Sequence, residues 1–175
     1  MTDDAKTRLR EKGLGDAGHD YRWQTDPELA ALDAVSLPSF SYPEYLARYA
    51  VELRYPSTQR QRFAVETLDG EHIGNCTYYA INTKRGEAEI GIMIGNRDYW
   101  DKGYGVDAVT NLLELIFRET RLNRIYLKTL VDNTRAQKCF SKCGFIPCGH
   151  LKRDGYNFIL MELHRRQWLE KELKR

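Results

Sequence analysis

Hydrophobic and polar positions change period several times along the chain, and each change marks an element. Residues 7–12 (TRLREK) read as a short first strand. Asp16 is placed as the N-cap of a helix reaching residue 24, and Asp26-Pro27 punctuates before a second helical piece over 28–34. The breaker-rich SLPSFSYP at 36–43 leads into a helix over 43–54, with Tyr45, Leu46, Tyr49 and Leu53 at its apolar positions. The period then falls to two. Residues 62–68 alternate as a strand, Asp69-Gly70 makes a hairpin turn and 72–81 returns. A polar connection over 82–86 leads to a third strand, 88–94, completing an antiparallel meander. The strongest helix follows, where Val106, Val109, Leu112, Leu113, Ile116 and Phe117 form one apolar stripe. A strand over 124–131 precedes a short helix over 134–142 that Gly144 stops. A hairpin of 145–151 and 156–163 turns at Asp154-Gly155, and 164–175 forms a charged helical tail. The sum is a mixed α/β (α+β) fold, a mostly antiparallel sheet of six to seven strands flanked by about four helices.

Length and composition add bounds to this picture. At 175 residues with no repeat or low-complexity linker, the chain reads as one domain over 1–175, with a polar tail over 1–6 and a helical extension over 164–175. Apolar residues make up 42% and charged residues 30%, an ordinary globular balance. A net charge of +2 gives no global case for nucleic acid or an anionic membrane as partner. No second CxxC pair or His cluster joins Cys76, Cys139, Cys143 and Cys148 into a four-ligand set, so they read as core or surface thiols and no metal is expected. The first twelve residues hold no apolar stretch, and no apolar run approaches the ~18 residues of a membrane span. A cytoplasmic location is the expectation.

The chemistry concentrates in Trp100-Asp101-Lys102-Gly103-Tyr104-Gly105-Val106, between a strand and the amphipathic helix. Glycines there admit positive φ and a close approach of backbone to ligand. The helix's first N–H groups are unpaired and carry its positive dipole end, a ready site for a pyrophosphate, to which Lys102 would add a point charge. A Walker loop is ruled out because GxxxxGK[ST] is absent, and a Rossmann turn because the third glycine is missing. Taken alone, the turn is equally a plain helix entry.

The surrounding order narrows the choice. The chain resembles the GCN-five-related N-acetyltransferase (GNAT) superfamily, and within it the RimJ/RimL-like branch. The resemblance rests on Ala88-Glu89-Ile90-Gly91, Tyr99-Trp100 leading into Lys102-Gly103-Tyr104-Gly105, Asn133-Thr134-Arg135-Ala136 and Lys142-Cys143-Gly144-Phe145. It covers roughly residues 7 to 163. Trp100 stands where the pyrophosphate motif has Gln or Arg. The backbone cradle is therefore expected, and the side-chain contact from that position is not.

The resemblance implies a sheet with two central strands splayed apart and pantetheine inserted between them. Backbone groups of Ile92, Met93 and Ile94 would pair with its amides, and amides from Lys102 through Gly103, Tyr104 and Gly105 to Val106 would hold the pyrophosphate. Asn133 would bond pantetheine, with Arg135 and Ala136 also at the cofactor. The implied reaction is direct acetyl transfer from acetyl-CoA to a primary amine, on a small molecule or a protein N-terminus. Glu89 is the candidate base, on a strand where partial desolvation would raise its carboxyl. A backbone N–H near Met93 or Ile94 would stabilise the oxyanion. Relatives place a hydroxyl acid at the position of Phe140 or of Ala136, and this chain has neither. Tyr126, Tyr104, water or unassisted thiolate departure remain open for that step. A CoA-binding module without transfer, a transferase for another acyl-CoA, and an interaction domain using the fold as scaffold are the alternatives. Exposed strand edges would permit a homodimer.

Overall fold

The computed structural model describes residues 5–174. Residues 1–4 of the polar tail and Arg175 of the helical tail lie outside the described residues. Seven strands form one sheet in the order β1-β2-β3-β4-β5-β7-β6. They are β1 (Thr7–Glu11), β2 (Arg60–Thr67), β3 (His72–Asn82), β4 (Glu87–Ile94), β5 (Arg124–Leu130), β6 (Ile146–Arg153) and β7 (Tyr156–His164). Every neighbouring pair is antiparallel except β4 and β5. The helices are α1 (Ala17–Gln24), α2 (Pro27–Leu32), α3 (Tyr42–Arg54), α4 (Tyr104–Glu119), α5 (Thr134–Cys143) and α6 (Arg165–Glu172). The mixed α/β sheet expected from the sequence is present, with six helices among the described residues in place of about four, because the short α2 and α6 are helices in their own right.

Local chemistry explains where the helices begin. Ser41 and Glu44 make a reciprocal capping box at α3, and the Asp26 carboxylate accepts from the amides of Glu28 and Leu29 at α2. Asp16 departs from its expected role. It follows a 3₁₀ turn (Leu14–Asp16) and caps no amide of α1. Its carboxylate instead accepts from both terminal nitrogens of Arg10 (2.8 and 2.7 Å) and from the Gly13 amide at 2.8 Å. Burial opposes its charge, but those bonds outweigh burial and hold the carboxyl well below the usual carboxylate range.

The α4 stripe closes the main core. Val109, Leu112, Leu113, Ile116 and Phe117 are all buried against the sheet; each such side chain contributes about 1.5–3 kcal/mol of burial free energy. Asp107, on the polar side of α4, ties that helix to β1, accepting from the Thr7 amide (2.7 Å) and hydroxyl (2.6 Å). Alternation along the strands divides the sheet into two faces. Cys76, Tyr78, Ala88 and Ile90 join the α4 core, whereas Asn75, Thr77, Tyr79 and Glu89 point to the other side. There α1 and α3 pack on each other around Ala17, Tyr45 and Tyr49. The tail helix is more than a solvated extension. Arg165 donates to the carbonyls of Phe117, Thr120 and Leu122 at the end of α4, and Trp168 packs on the Phe117 ring at 5.2 Å.

Candidate active site

β4 and β5 are paired only from Glu87↔Arg124 to Glu89↔Tyr126, and beyond that point they separate. The opening exposes one edge of β4. Met93 opposes Asn75 on β3, and its carbonyl oxygen lies so close to Gly74 that a Cβ there would meet it at 2.1 Å. That register turns the Met93 backbone toward β3, while the residue itself still borders the cavity. By the alternation of an antiparallel ladder, Ile92 and Ile94 present their N–H and C=O groups to the gap. One of these is already occupied, because the Trp100 indole Nε1–H donates to the Ile94 carbonyl at 2.6 Å. The Ile92 N–H and C=O and the Ile94 N–H remain.

At the same end of β4 stands the start of α4. Gly103 sits in the left-handed region (φ +86°) as its N-cap, and the first intrahelical bond runs from the Asp107 amide to the Gly103 carbonyl at 3.0 Å. The amides of Tyr104, Gly105 and Val106 precede that bond and have no intrahelical acceptor. Gly105 faces α5 closely, where a Cβ would reach contact with the Cys139 sulfur at 3.4 Å. Two side chains of this loop depart from expectation. The Lys102 ammonium is tied to the Asp98 carbonyl (2.7 Å) and lies off the cavity wall. The Tyr104 ring packs edge-on against Tyr99 at 4.7 Å with Lys6 over its face, and Tyr104 does not border the cavity.

The start of α5 forms the facing wall. Asn133 caps the helix through its carbonyl oxygen, which accepts from the Ala136 amide at 3.1 Å. Its neighbour Arg135 stacks on Trp100, with the guanidinium carbon 3.4 Å from the ring centroid. Phe140 is buried edge-on to Phe145 at a centroid distance of 5.9 Å. A bond with Cys143, together with burial, drives the Cys139 thiol far above its ordinary value, so it holds no thiolate to act as nucleophile.

A cavity of about 1370 Å³ runs from this helix-lined end through the β4–β5 gap to α1–α3. Ile92, Met93, Ile94, Gly103, Gly105, Val106, Asn133, Arg135 and Ala136 all border it. Glu89 and Tyr126 do not. Glu89 accepts from the Lys128 ammonium at 2.6 Å and bonds the Tyr79 hydroxyl, which burial and that carboxylate push upward. Burial, and then the nearby Glu89 and Glu87 charges, also raise Tyr126, whose ring carries Arg124 at 4.8 Å. Lys128 and Tyr79 are the pair that reach the wall. The sequence places Tyr79, opposite Glu89, near the acceptor groove, but sequence reasoning missed Lys128, although it lies on the same strand face as Tyr126, two positions before it. Asp33, at the end of α2, also borders the cavity, and the protein around it pushes its carboxyl up to about 6. Among the described residues no group of three or more His, Cys, Asp or Glu could hold a metal, and no helix is long and apolar enough to cross a membrane.

Comparison with known proteins agrees with this geometry. A family profile described as an acetyltransferase (GNAT) domain matches residues 6–146. The uncharacterized N-acetyltransferase p20 of Bacillus licheniformis is 30% identical over 146 residues, covering 82% of this chain and 81% of that one. A spermidine N(1)-acetyltransferase of Vibrio cholerae is 32% identical over 91 residues, 52% of each chain. Among solved structures, spermidine N-acetyltransferase from Vibrio cholerae in complex with CoA and spermine superposes with a TM-score of 0.84 at 23% identity, over 95% of this chain and 99% of that chain. An aminoglycoside acetyltransferase in complex with coenzyme A gives 0.79 at 21% identity over 95% and 99%. At those identities the two structures establish the fold.

Proposed function

The chain belongs to the acetyltransferase (GNAT) domain family, and from that premise we propose that it moves an acetyl group from acetyl-CoA directly to a primary amine. The observation that carries the reading is the continuity of one cavity from the β4–β5 gap to the unpaired amides of α4. A pantetheine arm fits the gap as an added strand, bonding the Ile92 N–H and C=O. The Tyr104, Gly105 and Val106 amides and the dipole of α4 suit a pyrophosphate, with Arg135 beside it. Acetyl-CoA supplies the activated acyl group as a thioester. The Ile94 N–H is then the oxyanion donor, since its own carbonyl is occupied by Trp100. Glu89 acts as base at one remove, taking the ammonium proton through water while Lys128 and Tyr79 hold its carboxylate. No hydroxyl stands at position 136 or 140, so the thiolate leaves with water as its proton source. We read the whole chain as one such domain of the RimJ/RimL-like branch, acting on a small amine or a protein N-terminus.

Calorimetric titration with acetyl-CoA tests this, and absence of heat at millimolar ligand sinks it. Gly105→Val should abolish binding while the thermal midpoint confirms a folded protein, because its side chain fills the space beside the Cys139 sulfur. A second reading, CoA binding without transfer, is favoured by the missing hydroxyls. Thiol release with any amine rejects it.

A further inference from the structure

Building on the transferase reading, we propose that the acceptor is an amine that also bears a carboxylate, which Arg60 and Arg48 hold. The α1–α3 half of the cavity is where an acceptor must enter, because the other end, at the starts of α4 and α5, is taken by the cofactor in the transferase reading. Its charges are nearly all spoken for. Asp20 is enclosed by Lys12 (2.8 Å), the Asn75 carboxamide (2.7 Å) and the Tyr49 hydroxyl (2.9 Å). Glu52 is bound by Arg62, and Asp154 lies 3.5 Å from Arg153. Asp33 is the one carboxylate on this wall with no ion-pair partner among the described residues, a single exposed negative charge facing two arginines.

The cations are different. Neither the Arg48 nor the Arg60 guanidinium has a hydrogen-bond or ion-pair partner among the described residues. Each is instead laid on a ring, Arg48 at 5.1 Å from the Phe40 centroid and Arg60 at 5.6 Å from that of Tyr79. A guanidinium over a ring face is drawn toward it, and its fork of donors stays open to match a carboxylate in two parallel bonds. A polyamine or other polycation needs spaced carboxylates, and here it would meet unpaired arginines.

Register sets the scale of the ligand. Arg60 opposes Tyr79, which opposes Glu89 on the strand that opens to the thioester. Two strand spacings are about 10 Å, the length of roughly three extended residues. An amine delivered to the gap thus places a carboxylate at Arg60 if it is an amino acid, reached by the long arginine side chain, or the start of a short acidic peptide.

Initial rates on four probes decide the matter: free glutamate, alanyl-glutamate, alanyl-glutamine amide and spermidine. KM for a carboxylate-bearing amine should lie at least about tenfold below those for the amide and spermidine, as expected for a charge-assisted bidentate contact. Glutamate and alanyl-glutamate separate the free amino acid from the peptide. R60Q should bring the ratio of carboxylate to amide to within about twofold, R48Q should narrow it, and the calorimetric affinity for acetyl-CoA should stay unchanged in both. Spermidine or the amide equalling the acids, or R60Q/R48Q preserving the ratio, overturns the proposal. If no probe turns over, the same four ligands are titrated into the CoA-loaded protein, and equal affinities overturn it equally. Loss of acetyl-CoA binding in the wild-type protein would strike the transferase reading instead.

Discussion

Trp100 joins two walls of the donor site through a single ring. Its indole N–H fixes the Ile94 carbonyl at 2.6 Å, while its face carries Arg135 at 3.4 Å and Arg97 at 5.5 Å. Arg97 is engaged by Asp26 and Glu28, so Arg135 is the cation of the two that is available to a phosphate. A residue that departs from the family's polar pattern thereby restores a positive charge at that place by stacking one from the neighbouring helix. R135A should weaken CoA about tenfold or more, the worth of a charge-assisted bond, and leave pantetheine binding unchanged because pantetheine has no phosphate. W100L, which removes the platform, should weaken CoA comparably, and W100F, which keeps a ring but loses the N–H, should weaken it less. Calorimetry with both ligands checks this; equal losses for CoA and pantetheine would show that the pair acts only on the shape of the site. The motif put Arg135 at the cofactor, but its stack on Trp100 was not legible, since contact between positions 100 and 135 depends on α5 returning beside the loop before α4.

Elements are the scale at which the sequence was most readable. The α4 stripe, the Asp69-Gly70 hairpin and the stop at Gly144 (φ +104°) are each local signals, and each element stands within a few residues of its expected bounds. What local signals missed are the polar ties between elements. Asp16 had the residue type of a cap, yet Arg10 on β1 claims its carboxylate. Beside it lies His72 at the start of β3, facing Lys12, Asp16, Asp20, Asn75 and the His19 ring. Burial, then the Lys12 charge, hold its imidazole below the ordinary value, against Asn75, Asp16 and Asp20. The unfolded chain therefore takes up this proton at a higher pH, near 6.5, than the folded one does. Its contribution to stability is full above that value and is lost as pH falls toward the folded-state value. Raising the pH from about 5 to about 7 should raise the thermal midpoint, and H72Q should flatten that dependence. An H72Q profile parallel to the wild type would refute the assignment.

At the scale of the molecule, the sheet separates two tasks by face and joins them at one gap. One face carries α4, whose start borders the cavity at one end; the other carries α1 and α3, whose aromatic cluster borders it at the other. The order of elements was legible from periodicity, and so was the turn at Gly103. The direction of Glu89 was not, because it follows from the pairing Tyr79↔Glu89↔Tyr126 and from Lys128 reaching back across the gap, facts of register between distant segments. The same separation in sequence makes a decisive test possible. If one CoA molecule bridges the gap and both helix starts, amide exchange should slow together at residues 92–94, 103–106 and 133–136, while the β6–β7 tip at Asp154-Gly155 keeps its rate. Ligand at about 100 times its Kd adds roughly 2.7 kcal/mol, and for a chain of this length that corresponds to a rise of about 5–11 °C in thermal midpoint. Protection confined to one segment would mean that the gap and the cradle bind different things, and the single-cavity reading of the active site would fail.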